Sequence, residues 1–156
     1  MAFGLTEQWT STDAGGDALS GSIQGTLPAS GTFRIPIYAS QCVVVQPDTR
    51  YAFGTKVFLP SATTPADAFA TVFINTYPNT GCFGNQTMNI VAPNVSTLDA
   101  WTETSTAVLT GATDQSIQVN LRVFAPGNTT LISYFDDVFV MAGELTPVTL
   151  EFFDVE

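Results

Sequence analysis

Residues 116–124 read SIQVNLRVF, and no other stretch limits the chain's fold as strongly. Ile117, Val119, Leu121 and Val123 fall on one side of an extended strand, and Gln118, Asn120 and Arg122 fall on the other. One face is therefore core and the other wet. In AFATVFINTY, Ala70, Val72 and Ile74 form an aliphatic face, opposite a mixed face of Thr71, Phe73, Asn75 and Tyr77. Tyr51, Phe53, Thr55 and Val57 oppose Ala52, Gly54, Lys56 and Phe58 in the same way. Helical periodicity is hard to find, and Gly, Pro, Asn and Asp interrupt the pattern every 8 to 15 residues, as in all-β sandwiches and barrels.

The candidate strands are 18–26, 32–37, 41–45, 51–59, 69–77, 86–91, 101–109, 116–124 and 132–141. Turn chemistry separates them: QPDT, PSATTPAD, YPNTG, APN, GATD and APGN. The expectation is an all-β fold of two packed antiparallel sheets over 3–142, with 143–156 as an extra edge strand or the start of a linker.

At 156 residues the chain is long enough for one domain with a real core. Its 12 Phe, 4 Tyr and 2 Trp provide enough apolar surface to fold against chain entropy. Only 4 basic residues face 14 acidic ones, so clustered cations for phosphates or anionic lipids are missing. The expectation is no nucleic-acid partner and no membrane; neutral or cationic ligands remain. Histidine is absent, which removes Ser-His and Cys-His nucleophile pairs and the most common zinc ligand. Cys42 and Cys82 are expected to form a disulfide worth ~4 kcal/mol on the chain-entropy argument; two buried free thiols are the alternative. The Thr/Asn/Gly-rich, Lys-poor composition suits an exported chain, and since Met1-Ala2 runs straight into FGLTEQW, any leader is expected to have been removed.

Several segments in order resemble a known layout: SGS (20–22), ASQCVVVQPDTRYAFGTKV (39–57), FATVFINTYPNTGC (69–82), an isolated Trp101, SIQVNLRVFA (116–125) and SYFDDVFV (133–140). The pattern is similar to that of the galactose-binding-like jelly-roll carbohydrate-binding modules of secreted bacterial polysaccharide-degrading enzymes. The resemblance implies a two-sheet jelly-roll β-sandwich without catalysis. It also implies a structural calcium ion and glycan binding on a concave sheet face or at loops on one edge. Fold transfers across such resemblance more securely than ligand. Family members often begin with an acidic or Asn-rich segment that supplies calcium ligands; Met1 to Gly4 offers no carboxylate, and Asp13 and Asp17 in TDAGGDALSGS could take that role.

In SYFDDVFV, strict alternation puts Tyr134, Asp136, Val138 and Val140 on one face and Ser133, Phe135, Asp137 and Phe139 on the other. Adjacent carboxylates so divided cannot form the facing pair that a glycosidase uses. Asp136 then enters at the rim of the core and requires a cation or several N–H donors. Calcium with Asp136 and Asp17 as ligands is one reading, and a hydrogen-bonded carboxylate capping a loop is the other.

Sugar sites combine an aromatic surface with a few amides or charges that fix orientation. Lys56, Phe73, Asn75, Tyr77, Gln118, Asn120 and Arg122 form such a set if their strands are neighbours. A plain hydrated sheet face is the alternative. Trp9 and Trp101 are further aromatics, though a lone Trp in a small sandwich is more often core. NQT (85–87), NVS (94–96) and NTT (128–130) match the glycosylation pattern, which has no meaning in a bacterial source.

The expected function is a non-catalytic module, secreted or at the cell surface, that binds a polysaccharide or oligosaccharide and is tethered to a catalytic domain in the full-length protein. A structural or adhesive sandwich domain without a sugar site is the alternative. A hydrolase built from Asp99, Glu103 and Asp114 brought together by folding comes last.

Overall fold

The computed structural model describes residues 6–17, 20–29, 35–126 and 129–143. Nine strands form among them: β1 (Thr6–Thr10), β2 (Ser22–Leu27), β3 (Ile37–Val44), β4 (Arg50–Phe58), β5 (Phe69–Tyr77), β6 (Met88–Val91), β7 (Thr102–Leu109), β8 (Ser116–Phe124) and β9 (Leu131–Ala142). They build a five-stranded sheet, β1-β2-β9-β4-β7, and a four-stranded sheet, β3-β8-β5-β6, with antiparallel strand pairs throughout. This is the expected jelly-roll sandwich.

The period-two faces settle which side each strand buries. Val72 and Ile74 of β5, Ile117, Leu121 and Val123 of β8, Phe53 and Val57 of β4, and Phe135 of β9 meet between the sheets, each almost fully buried. Each such side chain contributes roughly 1.5–3 kcal/mol of transfer free energy. Buried threonines are satisfied by backbone oxygens: Thr71 Oγ1 donates to Ala92 O at 2.8 Å and Thr104 Oγ1 to Pro93 O at 2.6 Å.

β5 and β8 have the expected limits. β1 was not anticipated, since TEQWT is short and almost wholly exposed. Of the 32–37 candidate, residues 32–34 lie outside the described residues, as do 144–156 at the C-terminal end. The ladder also corrects the alternation in SYFDDVFV. The β4–β9 register shifts between Gly54 and Lys56, and Asp137 sits in the left-handed region at φ 47°. This β-bulge resets the period: Phe135 lies in the core, and Val138 and Val140 pack against the same core beyond it. Asp136 and Asp137 therefore do not alternate as an unbroken strand requires.

The Cys42–Cys82 disulfide forms, joining β3 to the loop that follows β5.

Candidate functional site

The outer face of the four-stranded sheet gathers most of the expected ligand residues because β5 and β8 are direct neighbours. Phe73 pairs with Asn120, Asn75 with Gln118 and Thr71 with Arg122. β3 adds Ser40 opposite Asn120 and Cys42 opposite Gln118, while β6 adds Asn89 opposite Asn75. The Arg122 guanidinium lies over the Phe73 ring, 4.7 Å from its centroid. Tyr77 donates its hydroxyl to Gln118 Oε1 at 3.2 Å, and Asn89 Nδ2 donates to Asn75 Oδ1 at 2.7 Å. Asn75, Gln118 and Arg122 are half-buried, and the Arg122 Nε is buried without a hydrogen-bond partner among the described residues.

Four of the expected residues stand differently. Phe73 is only 7% exposed and Tyr77 8%, so neither ring offers an open stacking surface. Asn120 is 2% exposed and its Nδ2 donates to Gln118 O at 3.1 Å, because β8 runs between two strands and its side chains are flanked on both sides. Lys56 is not on this face at all. β4 belongs to the other sheet, where Lys56 Nζ pairs with Asp137 Oδ2 at 2.7 Å. That ion pair holds the Lys56 ammonium above its ordinary pKa.

Sequence reasoning missed the two ends of the face. At one end Phe69 and Phe124 stack, centroids 4.6 Å apart and rings within 10° of parallel. Beside Phe69 a shallow cavity of about 400 Å³ opens, lined also by Asp67, Asn94 and Ser96. The Phe69/Phe124 signal was present in the period of both strands, since each continues the outer set by two residues. At the other end the loop after Tyr77 folds over the sheet: Cys82 N donates to Ser116 Oγ at 3.1 Å, and Ser116 Oγ to Asn79 O at 2.5 Å.

Neither tryptophan is a core residue. Trp9 is 63% exposed on the edge strand β1, and Trp101 is half-buried against Phe58, ring centroids 5.5 Å apart.

The acidic residues occupy separate places. Asp99 Oδ1 accepts from Ser61 N at 2.8 Å, and the exposed Glu103 pairs in the ladder with Lys56. Asp114, 1% exposed, accepts from Thr87 Oγ1 and Gly111 N. The three carboxylates proposed for a hydrolase thus serve three different loops and strands.

Asp136 Oδ2 accepts from Ala14 N at 2.8 Å and its Oδ1 from Asp137 N at 2.8 Å. Asp13 hydrogen-bonds to Asp136 and also accepts from Ser20 Oγ and from Asp17 N, the latter at 2.8 Å. Burial pushes the Asp136 carboxyl above its ordinary range, whereas the Ser20 hydroxyl holds Asp13 below its own. Two hard carboxylate groups, one of them desolvated, are the type of donor that calcium takes. Asp17 touches this arrangement through its backbone N–H. Among the described residues no group of three or more Asp, Glu, His or Cys side chains converges, so main-chain oxygens or water would complete the six to eight ligands calcium needs.

No family model matches the chain, and no curated protein sequence does. Solved structures do. The enzymatically active domain of tailspike protein 4 from bacteriophage CBA120 superposes with a TM-score of 0.66 at 11% identity, over 88% of this chain and 18% of that one. The CBM22-1–GH10 modules of endo-1,4-β-D-xylanase 10B from Clostridium thermocellum, solved with xylohexaose, give 0.56 at 13% identity over 89% of this chain and 25% of that one. The CBM22-2 xylan-binding domain of Paenibacillus barcinonensis Xyn10C gives 0.54 at 13% identity over 88% of both chains. The chain has the jelly-roll fold of carbohydrate-binding modules. It spans about a fifth to a quarter of the tailspike and xylanase chains, and nearly all of the isolated module.

Proposed function

We propose that the chain is a non-catalytic carbohydrate-binding module of a secreted or surface protein, holding that protein to a polysaccharide through the outer face of the four-stranded sheet. The observation that carries this reading is the row of Asn75, Gln118 and Arg122, half-buried side by side on the Phe73-bearing surface. Amides donate and accept with sugar hydroxyls, and a guanidinium donates in a fixed fork. Arg122 is the only charged side chain among the described residues of these four strands, and the chain's net charge is −10, so a neutral glycan fits better than a polyanion. The same strands carry no carboxylate among their described residues, which supports binding without glycosidic cleavage. Xylan is the first ligand to test, because one structural neighbour is a xylan-binding domain and another was solved with xylohexaose. In the full-length protein the module accompanies a catalytic domain.

Calcium belongs to the same reading. Asp13 and Asp136 would hold it, and the ion would supply a fixed link between the segment after β1 that carries Asp13 and β9.

Affinity electrophoresis through xylan, β-glucan and galactan tests the proposal with the wild type and Asn75→Ala, Gln118→Ala and Arg122→Ala. The wild type is expected to be retarded by at least one polymer. Arg122→Ala should weaken that binding roughly tenfold or more, the scale of a hydrogen bond to a charged group. No retardation at millimolar sugar would sink the reading. It would favour instead a structural or adhesive sandwich domain, which the near-complete burial of Phe73 and Tyr77 already suits.

A further inference from the structure

The 78–84 loop holds an aromatic ring out in solvent with unusual care. Phe83 is 68% exposed, while the rings of Phe73 and Tyr77 on the sheet below are almost covered. An exposed phenyl gains nothing from burial. Its loop is nevertheless pinned at several points. The residue before it, Cys82, is bonded to Cys42 on β3, and its N–H donates to Ser116 Oγ on β8. Asn79 spans the turn, its Nδ2 donating to Phe83 O at 2.7 Å and its Oδ1 accepting from Gly81 N at 3.0 Å. Cys82 and Gly84 both take left-handed backbone conformations, φ 53° and 81°. Such a conformation is disfavoured for a non-glycine residue and persists where surrounding contacts impose it.

Cys42 pairs directly with Gln118 in the ladder, and Ser116 lies on the same face two residues before Gln118 and six before Arg122, so the pinned loop stands at the end of the amide row. We infer that Phe83 is the ring on which a sugar residue stacks, and that the Cys42–Cys82 disulfide is its positioning device. The ligand class follows from the ring: a neutral pyranose whose apolar C–H face packs on the phenyl while its hydroxyl edge meets Gln118 and Asn75. Preorganising the ring removes an ordering penalty that a free loop would incur on binding. This inference rests on the reading of the sheet face as a glycan surface.

The experiment is calorimetric titration of xylohexaose, cellohexaose and β-1,4-galactotriose into the wild type, Phe83→Ala, Phe83→Trp, Arg122→Ala and the double variant Cys42→Ser/Cys82→Ser. Circular dichroism confirms that each variant is folded. Phe83→Ala should weaken the best ligand about tenfold, and Phe83→Trp should restore it. In the disulfide-free background Phe83→Ala should have a smaller effect, because an unpinned ring contributes less. If the double variant does not fold, the Ala and Trp pair decides alone. Unchanged affinity in Phe83→Ala, with binding lost in Arg122→Ala, overturns the role of Phe83 and leaves the sheet face standing. Absence of wild-type binding to all three sugars overturns both.

Discussion

Half-burial of Asp136 separates it from the other acids near β9. Its carboxyl is held above the ordinary range chiefly by desolvation, against the opposing effect of the Ala14 and Asp137 N–H donors. A carboxylate whose folded pKa is raised contributes stability through its bound proton, fully present below the unfolded value of about 3.9 and lost as pH rises through the folded pKa. At neutral pH the charged form is therefore a liability unless a cation neutralises it. Asn at this position keeps an acceptor for Ala14 N and gains a donor toward Asp13, while giving up the acceptor that Oδ1 offers Asp137 N, a smaller loss than an uncompensated buried charge. In chelator at pH 7, Asp136→Asn should melt no lower than the wild type, and its advantage should shrink as pH falls. Calcium at about 100 times its dissociation constant should stabilise the wild type by ~2.7 kcal/mol, several degrees in Tm, and leave the variant unmoved. Scanning calorimetry checks both; a variant that melts well below the wild type in chelator argues for a purely hydrogen-bonded carboxylate whose charge the fold requires.

At the scale of the element, a close approach in β4 lies beside the register shift that the β9 bulge makes. Gly54 faces Phe139 across the ladder, and a Cβ there would lie 2.7 Å from Phe139 Cζ, Ser105 Cβ and Thr104 O alike. Two of those three neighbours are fixed by a strand, so they cannot move aside cheaply. Gly54→Ala is expected to destabilise by ~1–3 kcal/mol, a fall in Tm of roughly 2–10 °C for a chain of this length, measurable by thermal unfolding. The strands themselves were largely legible. In β5 and β8 every second residue is apolar and turn residues stand at both ends, so their limits could be read directly. The bulge was not legible, because a DD pair fits either face and only the left-handed backbone at Asp137 shows that the period restarts. β1 escaped for another reason. TEQWT has no buried side, since its strand sits at the sheet edge and is exposed at four of five positions.

Across the whole molecule, the candidate site was half legible. The polar faces of β5 and β8 could be assigned by parity, and the fold made those strands neighbours. Lys56 could not be separated from them, since which sheet a strand joins depends on pairings between residues far apart in sequence. Phe83 carries no periodic signal because it stands in a turn, where only tertiary anchoring distinguishes a held ring from a stray one.

The disulfide also sets how the chain responds to being cut. Between Cys42 and Cys82 lie β4 of one sheet, β5 of the other and the 59–68 connection, whose Ser61, Ala62, Ala66 and Asp67 are exposed. Limited proteolysis within that connection should yield one band on a non-reducing gel and two after reduction, with the nicked protein keeping its β-sheet circular dichroism. Dissociation without reductant would contradict this. Under the proposed secreted role, a peptide bond severed in this exposed connection becomes a scar rather than a loss.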